Sequence, residues 1–273
     1  MTPTPTCDLH SHTLHSDGQL SPEELVDLAA RNGLAALAVT DHDVVDGLPA
    51  AARRGAERGI EVVPGIELSV EEDGLDVHLL GYFISRPQVL QAALAEIQHE
   101  RRARARRMVE LLGGLGCPIA YEAVAERARG GVVGRPHVAE ELVARGHVGS
   151  IDEAFTLYLA NGRPAYLAKR TLGLVEAARL LTAAGGVPVV AHPGPSALDS
   201  LIPRLRAAGV RGLEVWHPKH DPREVRQYLA AARRHELLPT GGSDFHRPMP
   251  GGLEPGAMRV PLAVLDALRP LAS

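Results

Sequence analysis

The sequence predicts an α/β protein: a closed or nearly closed β/α barrel of about seven strands, interrupted by a mostly helical insertion. Three observations predict it. Short apolar runs alternate with helical patterns over the first two-fifths of the chain and again from Leu172 onward, which is the pattern of a parallel sheet. Between the two stretches the alternation stops and only helical pieces broken by Gly and Pro are read. Most of the apolar runs end in His, Asp or Glu, and barrel enzymes carry their chemistry at the C-terminal ends of their strands.

Thr6 to His10 reads as a short buried strand. Ser21-Pro22-Glu23-Glu24 starts a helix, with Ser21 as N-cap, Pro22 in the first turn and Glu24 closing a capping box. That helix runs to about Arg31, where Gly33 stops it. Leu34 to Thr40 is the next strand, a helix rich in Ala and Arg follows over residues 47 to 58, and Glu61 to Ile66 and Leu75 to Phe83 are two more strands. A long helix covers Pro87 to about Leu112. Past the insertion, helices alternate with the strands Val187 to Ala191, Gly212 to Trp216 and Leu237 to Thr240. The expected division is a first barrel part over residues 1–99, a helical cap over 100–170 and a second barrel part over 171–273.

At 273 residues the chain can bury one large core. Aromatics make up only 3%, so that core has to be built from Ala, Val, Leu and Ile. The net charge of −4 is not that of a dedicated nucleic-acid binder. Two cysteines, Cys7 and Cys117, form no disulfide framework, and a reducing cytoplasm is the expected location. Cys7, inside the first apolar run, reads as a small buried residue. No signal-peptide pattern is read at the start, and no apolar run approaches the roughly 20 residues needed to cross a bilayer.

Asp8-Leu9-His10-Ser11-His12 carries the chemistry. In extended chain, residues i and i+2 point to one side, so His10 and His12 can reach one metal ion. Asp17, His42, Glu67, His78, His192, Asp244 and His246 bring the candidate ligands to nine. A lone His at a strand end is ordinarily a hydrogen-bonding residue, and Asp41, Asp43 and Asp46 read equally as helix N-terminal acids. Taken jointly, the set is a multi-metal site. Mixed imidazole and carboxylate donors suit Zn, Mn or Fe better than Ca or Mg. Nine side chains exceed one tetrahedral zinc and suit two or three adjacent divalent ions, with Glu67 bridging. Close metals acidify a shared water and clamp attacking and leaving oxygens, which is chemistry for hydrolysing a phosphate ester.

The motifs Asp-Leu-His-Ser-His-Thr, Ser16-Asp17-Gly18, Thr40-Asp41-His42, Gly65-Ile66-Glu67, His78, Ala191-His192-Pro193 and Gly242-Ser243-Asp244-Phe245-His246 resemble, in order and over nearly the whole chain, the PHP (polymerase and histidinol phosphatase) superfamily. The resemblance implies a distorted seven-stranded barrel with up to three metals. It implies His10, His12, Glu67 and Asp244 on the first metal, Glu67, His78 and His192 on the second, and Asp17, His42 and His246 on the third. The helical insertion with Gly134-Arg135-Pro136-His137 resembles the branch that acts on nucleoside 3′,5′-bisphosphates and trims short RNA from the 5′ end.

The substrate residues are less specific. Arg135 and His137 flank a Pro that opens a helix, a natural phosphate site, against the reading of Arg135 as a surface cation. Lys169 and Arg170 either contact the uncleaved phosphate or are solvated. His217 orients substrate or protonates the leaving oxygen, against a hydrogen bond to a ligand. His15, in the loop beside Asp17, is a candidate for the rim of the site. His99, His147, His220 and His235 receive no role. The run Arg101 to Arg107 reads as a solvated helix face, with an RNA-backbone rail as its rival.

The expected activity is in-line attack of a metal-bridging hydroxide on the 3′-phosphate of nucleoside 3′,5′-bisphosphates, with short 5′-phosphorylated RNA as a related substrate. Mn is favoured among the metals, and phosphate or sulfate is expected to bind at them. No membrane and no obligate protein partner are expected. The rivals are a small-monoester phosphatase of the histidinol-phosphate type and a non-catalytic metal- or nucleic-acid-binding module.

Overall fold

Seven strands form where the apolar runs place them: β1 (Thr6–Asp8), β2 (Ala36–Val39), β3 (Glu61–Glu72), β4 (Leu75–Tyr82), β5 (Val187–Ala191), β6 (Gly212–Trp216) and β7 (Leu238–Gly241). An eighth, β8 (Val260–Pro261), is too short to show a period in the sequence. The computed structural model describes residues 4–72, 75–168, 172–194, 198–249 and 252–273. Its helices are α1 (Pro22–Arg31), α2 (Leu48–Arg58), α3 (Gln91–Gly114), α4 (Tyr121–Arg127), α5 (Arg135–Ala144), α6 (Ile151–Ala154), α7 (Leu174–Ala183), α8 (Leu198–Ala207), α9 (Pro222–Arg234) and α10 (Leu262–Leu268).

Local chemistry sets the helix ends. Ser21 Oγ accepts from the Glu24 N–H and Glu24 accepts from the Ser21 N–H at 2.8 Å, the reciprocal box read from the sequence. Asp221 and Glu224 repeat it at α9. Asp41 and Asp43 do not serve α2, which starts at Leu48 behind Gly47. Both carboxylates instead turn inward, as described below.

The sheet order is β7-β6-β5-β4-β3-β2-β1-β8. β1–β2, β2–β3, β5–β6 and β6–β7 are parallel, as the alternation predicts. β4 departs from it and runs antiparallel to both β3 and β5. Only Asp73 and Gly74 separate β3 from β4 in sequence, and two residues cannot make the crossover that parallel neighbours need. β8 pairs antiparallel to β1. The two sides of the sheet meet where the Leu9 N–H donates to the Gly241 carbonyl at 3.3 Å and the His12 N–H to Phe245 at 2.9 Å, nearly closing the barrel.

The helical segment has its own core, in which Met108, Leu112, Tyr121, Val124, Val138, Leu142 and Leu159 pack together. The basic run on α3 is not one solvated face. Arg104 is buried and the Arg106 guanidinium lies 3.7 Å from the Tyr121 ring centre. Arg101 reaches back to the barrel, where it donates to Asp43 at 2.8 Å and to Ser69 Oγ at 2.7 Å. Only Arg102, Arg106 and Arg107 of the run are exposed. No helix among the described residues is long and apolar enough to cross a membrane.

Candidate metal centre

All nine sequence-predicted ligand positions converge on one end of the barrel. Glu67, wholly buried in β3, is their hub. Its Oε2 lies 3.2 Å from His10 Nε2, 3.3 Å from His12 Nε2 and 3.1 Å from His42 Nδ1. Its Oε1 lies 2.7 Å from His78 Nδ1 and 3.0 Å from His192 Nε2. Asp244 Oδ1 lies 3.4 Å from His10 Nε2 and 3.2 Å from His12 Nε2. Asp17 is 3.3 Å from His246 Nε2 and 4.0 Å from His42 Nε2.

The antiparallel turn of β4 is what delivers His78. Register sets Ser69 opposite His78 and His78 opposite Ala191, so Glu67 and His78 lie on adjacent strands and His192 follows directly at the end of the next one, β5. The candidate ligands just past strand ends have unusual backbone: His192 and Asp244 have φ of 22° and 50°. Gly242 is required beside them, since a Cβ there would lie 2.4 Å from His10 N and Cβ.

Donor atoms within 4.8 Å of one another form four groups: His12, Asp17, His42 and His246; His10, His12 and Glu67; His10, His217 and Asp244; and His42, Glu67 and His78. His12 and His42 thus border two groups each. His192 joins none of the four groups; its Nε2 reaches Glu67, and its ring lies 5.6 Å from that of His10 and 5.1 Å from that of His78. His217 Nε2 lies 3.2 Å from Asp244 Oδ2, and its Nδ1 accepts the Lys219 N–H at 3.1 Å, so Nε2 carries the proton and donates to Asp244.

The electrostatics couple buried acids to buried imidazoles. Burial alone would raise Asp17, Glu67 and Asp244, yet the surrounding imidazoles outweigh it and hold all three well below the usual carboxylate range. Burial would likewise depress His10 and His246, but Glu214 and Glu67 raise the first and Asp17 raises the second to about 10. At His42 burial prevails and the imidazole stays well below its ordinary value. Both nitrogens of His12 and Nδ1 of His42 are buried without a hydrogen-bond partner among the described residues. Buried polar atoms left in that condition, amid a mixed imidazole and carboxylate set, fit divalent metals.

A further layer of buried carboxylates holds these groups. Glu214, in β6, accepts from His10 Nδ1 at 2.9 Å and from the His192 N–H at 2.7 Å, which turns His10 Nε2 toward Glu67. Asp41 accepts from the Thr13 N–H, Thr13 Oγ1 and Ser16 Oγ. Asp8 accepts from the N–H groups of His10, Ser243 and Gly256. Asp43, with φ of 54°, accepts from Arg101 and from the Ser69 N–H. None of the four is assigned this role from sequence: Asp41 and Asp43 read there as helix N-terminal acids, and Asp8 and Glu214 receive no role. Their signal is an acid inside or bordering an apolar run, as in Gly212-Leu-Glu-Val-Trp216.

The substrate positions are less concentrated. A cavity of about 510 Å³ opens over Asp17, His217, Asp244 and His246, and the cap contributes Pro136, Glu140, Ile151 and Phe155 to its lining. Arg135 lies beside it, 5.8 Å from the Phe155 ring centre and 5.6 Å from that of Tyr166. His137 is buried, and its Nδ1 accepts the Gly134 N–H at 3.0 Å, capping its own helix. Burial holds that imidazole below its ordinary value. Lys169 and Arg170 lie outside the described residues. His15 joins none of the four donor groups.

Such a hub of buried imidazoles and carboxylates at a barrel mouth defines a metal-dependent hydrolase. A PHP domain model matches residues 8–170. The chain is 36% identical over 258 residues to the 3′,5′-nucleoside bisphosphate phosphatase of Chromobacterium violaceum, covering 91% of this chain and 90% of that protein. It is 34% identical to the 5′-3′ exoribonuclease Rnm of Salmonella typhimurium over 89% of this chain and 86% of that one. A crystal structure from Bifidobacterium adolescentis, described as a candidate metal-dependent phosphoesterase, superposes with a TM-score of 0.91 at 29% identity, covering 99% of this chain and 98% of that one. The chain belongs to the PHP family of metal-dependent phosphoesterases. It is a hydrolase of phosphate esters.

Proposed function

We propose that the protein removes the 3′-phosphate of nucleoside 3′,5′-bisphosphates. One observation carries the reading: a cluster sharing Glu67 borders a cavity of about 510 Å³, which has room for a nucleotide. The similarity to a nucleoside bisphosphate phosphatase over nine-tenths of both chains supports the substrate class.

In this reading His10, His12, Glu67 and Asp244 hold one metal, Glu67, His78 and His192 a second, and Asp17, His42 and His246 a third, with Mn as the favoured ion. Bound metals there acidify a water and neutralise charge developing on the phosphoryl group. Glu214 fixes the His10 ring. His217 donates its one ring proton, at Nε2, to Asp244, which steadies that carboxylate beside the cavity and leaves the ring to orient the substrate there rather than to protonate the leaving oxygen. Lys219 and Arg247, which also line the cavity, join Arg135 as the cations for the phosphate that stays. Division into barrel parts 1–99 and 171–273 with a cap over 100–170 is supported by the separate core of the helical segment. A cytoplasmic location accords with the unpaired Cys7 and Cys117.

The test is phosphate release from adenosine 3′,5′-bisphosphate with added Mn²⁺, run beside histidinol phosphate and a short 5′-phosphorylated RNA. Release from the bisphosphate at least 10-fold faster than from the others is expected. Preferential turnover of histidinol phosphate would remove the substrate assignment. Preferential RNA trimming would move the protein toward the exoribonuclease reading, which the similarity to Rnm favours.

A further inference from the structure

The cavity over the metal centre has two chemically different parts. Asp17, His217, Asp244 and His246 make one, and these already serve the phosphoester chemistry. The other is apolar: Ile151 and Phe155 from the cap, Met249 and Leu253 from the loop after β7. Nothing in the phosphoryl chemistry calls for that surface.

Its composition is uncommon for this chain. Met249, 55% exposed, and Leu253, 52% exposed, are the two most exposed large hydrophobic residues among those described. The chain has three phenylalanines. Phe245 is buried in the core formed with α1 and α2, and Phe83 packs against the barrel core. Phe155 and Phe245 both border the cavity, but Phe245 is buried with the α1–α2 core, so Phe155 is the phenylalanine there whose ring is partly open. It is half-buried and begins a π-helical turn, Phe155–Leu159, a local distortion frequent at functional sites. The Arg135 guanidinium beside its ring donates to the Leu159 carbonyl at 3.4 Å, which ties that cation to the same turn.

We propose that Phe155 is the stacking platform for the nucleobase of the substrate, with Ile151, Met249 and Leu253 completing an apolar base subsite. The inference rests on the nucleotide phosphatase reading and gives the cap its role in substrate choice. Every nucleobase has a flat π-face, and a base seated on an aromatic ring gains affinity without any hydrogen bond to its edge. A phosphomonoester without a base leaves this surface wet and forgoes that affinity. The subsite therefore selects nucleotides over small sugar or alkyl phosphates, and larger purines over pyrimidines.

The experiment compares adenosine 3′,5′-bisphosphate with its abasic analogue, 1-deoxyribose 3,5-bisphosphate, in the Mn²⁺-loaded wild type and in Phe155→Ala and Phe155→Trp. Expected is a KM about 10-fold higher for the adenosine compound in Phe155→Ala, with kcat retained and the abasic KM unchanged. Phe155→Trp keeps the wild-type KM. A merely structural role for Phe155 would shift both substrates together, and that outcome, or no shift in either, overturns the platform alone. Absence of phosphate release from both substrates in the wild type overturns the nucleotide reading and the platform with it.

Discussion

Glu214→Gln isolates a buried carboxylate that lies outside every motif of the family resemblance. Glu214 is wholly buried and accepts two hydrogen bonds, from His10 Nδ1 at 2.9 Å and from the His192 backbone N–H at 2.7 Å. A carboxylate can accept both, one on each oxygen. The glutamine amide has the same shape but only one acceptor oxygen, so its NH₂ must face one of the two donors. One charge-assisted bond is lost, worth about 1.5–3 kcal/mol. His10 is then free to turn, and its Nε2 no longer points by constraint at Glu67 and Asp244. At about 1.4 kcal/mol per factor of ten, the expected loss is about 10- to 100-fold in metal affinity. Calorimetric titration of the metal-free protein with Mn²⁺ measures it, with thermal unfolding of the metal-free form as the control for folding. A Glu214→Gln protein that folds normally and binds Mn²⁺ within twofold of wild type would refute the argument.

Asp244→Asn removes the charge that lies 3.2 Å and 3.4 Å from His12 and His10, and phosphate release is expected to fall about 10²- to 10³-fold; full activity would sink the metal-site reading. Arg101→Ala strips Asp43, wholly buried, of its partner on the cap, and loss of such a pair costs about 3 kcal/mol. The melting temperature should then drop by roughly 6–12 °C in a scanning experiment, and a drop under about 2 °C would show the link to be idle. In metal-free protein, His246 is raised to about 10, so its stabilisation is complete below its unfolded value near 6.5 and is lost as pH rises toward about 10. Asp17, Glu67 and Asp244 are held low, so they stabilise above the ordinary carboxylate range and cease to do so as pH falls through their depressed values. Melting curves of chelator-treated protein should weaken at both ends, and an alkaline limb as flat as that of metal-loaded protein would contradict the assignment.

The nine candidate ligand positions were legible because chemistry at a barrel mouth has to sit where strands end, and the strand ends are marked by apolar runs. Their pairing in space was less so. His42 lies between Glu67 and Asp17, and His12 lies beside both Asp244 and the Asp17 group, which no spacing along the chain announces. The reversal of β4 did have a signal: Asp73-Gly74, a two-residue link that allows only an antiparallel return. Glu214 too was visible, as a lone acid in a five-residue apolar strand, since a buried carboxylate needs donors close by. Arg101 was not. Within a run of five arginines nothing local separates the one that turns inward at the barrel from those that face water.

That inward arginine bears on what the helical segment is for. Asp43 receives Arg101 through its side chain and Gln98 through its carbonyl, both from α3, while its own N–H donates to the Glu67 carbonyl at 3.0 Å. It is also the residue after His42. One buried carboxylate thus joins the first helix of the cap, the loop that carries a candidate ligand and the strand that carries the hub. A second tie, from the Val132 N–H to the His15 carbonyl at 2.9 Å, fastens the cap to the loop between His12 and Asp17. Both fastenings land next to the Asp17, His42 and His246 donors rather than on the outer wall of the barrel. A cap held at those two points cannot shift without moving His42 or Asp17, so the position of Phe155 over the cavity and the geometry of that donor group are set by the same contacts.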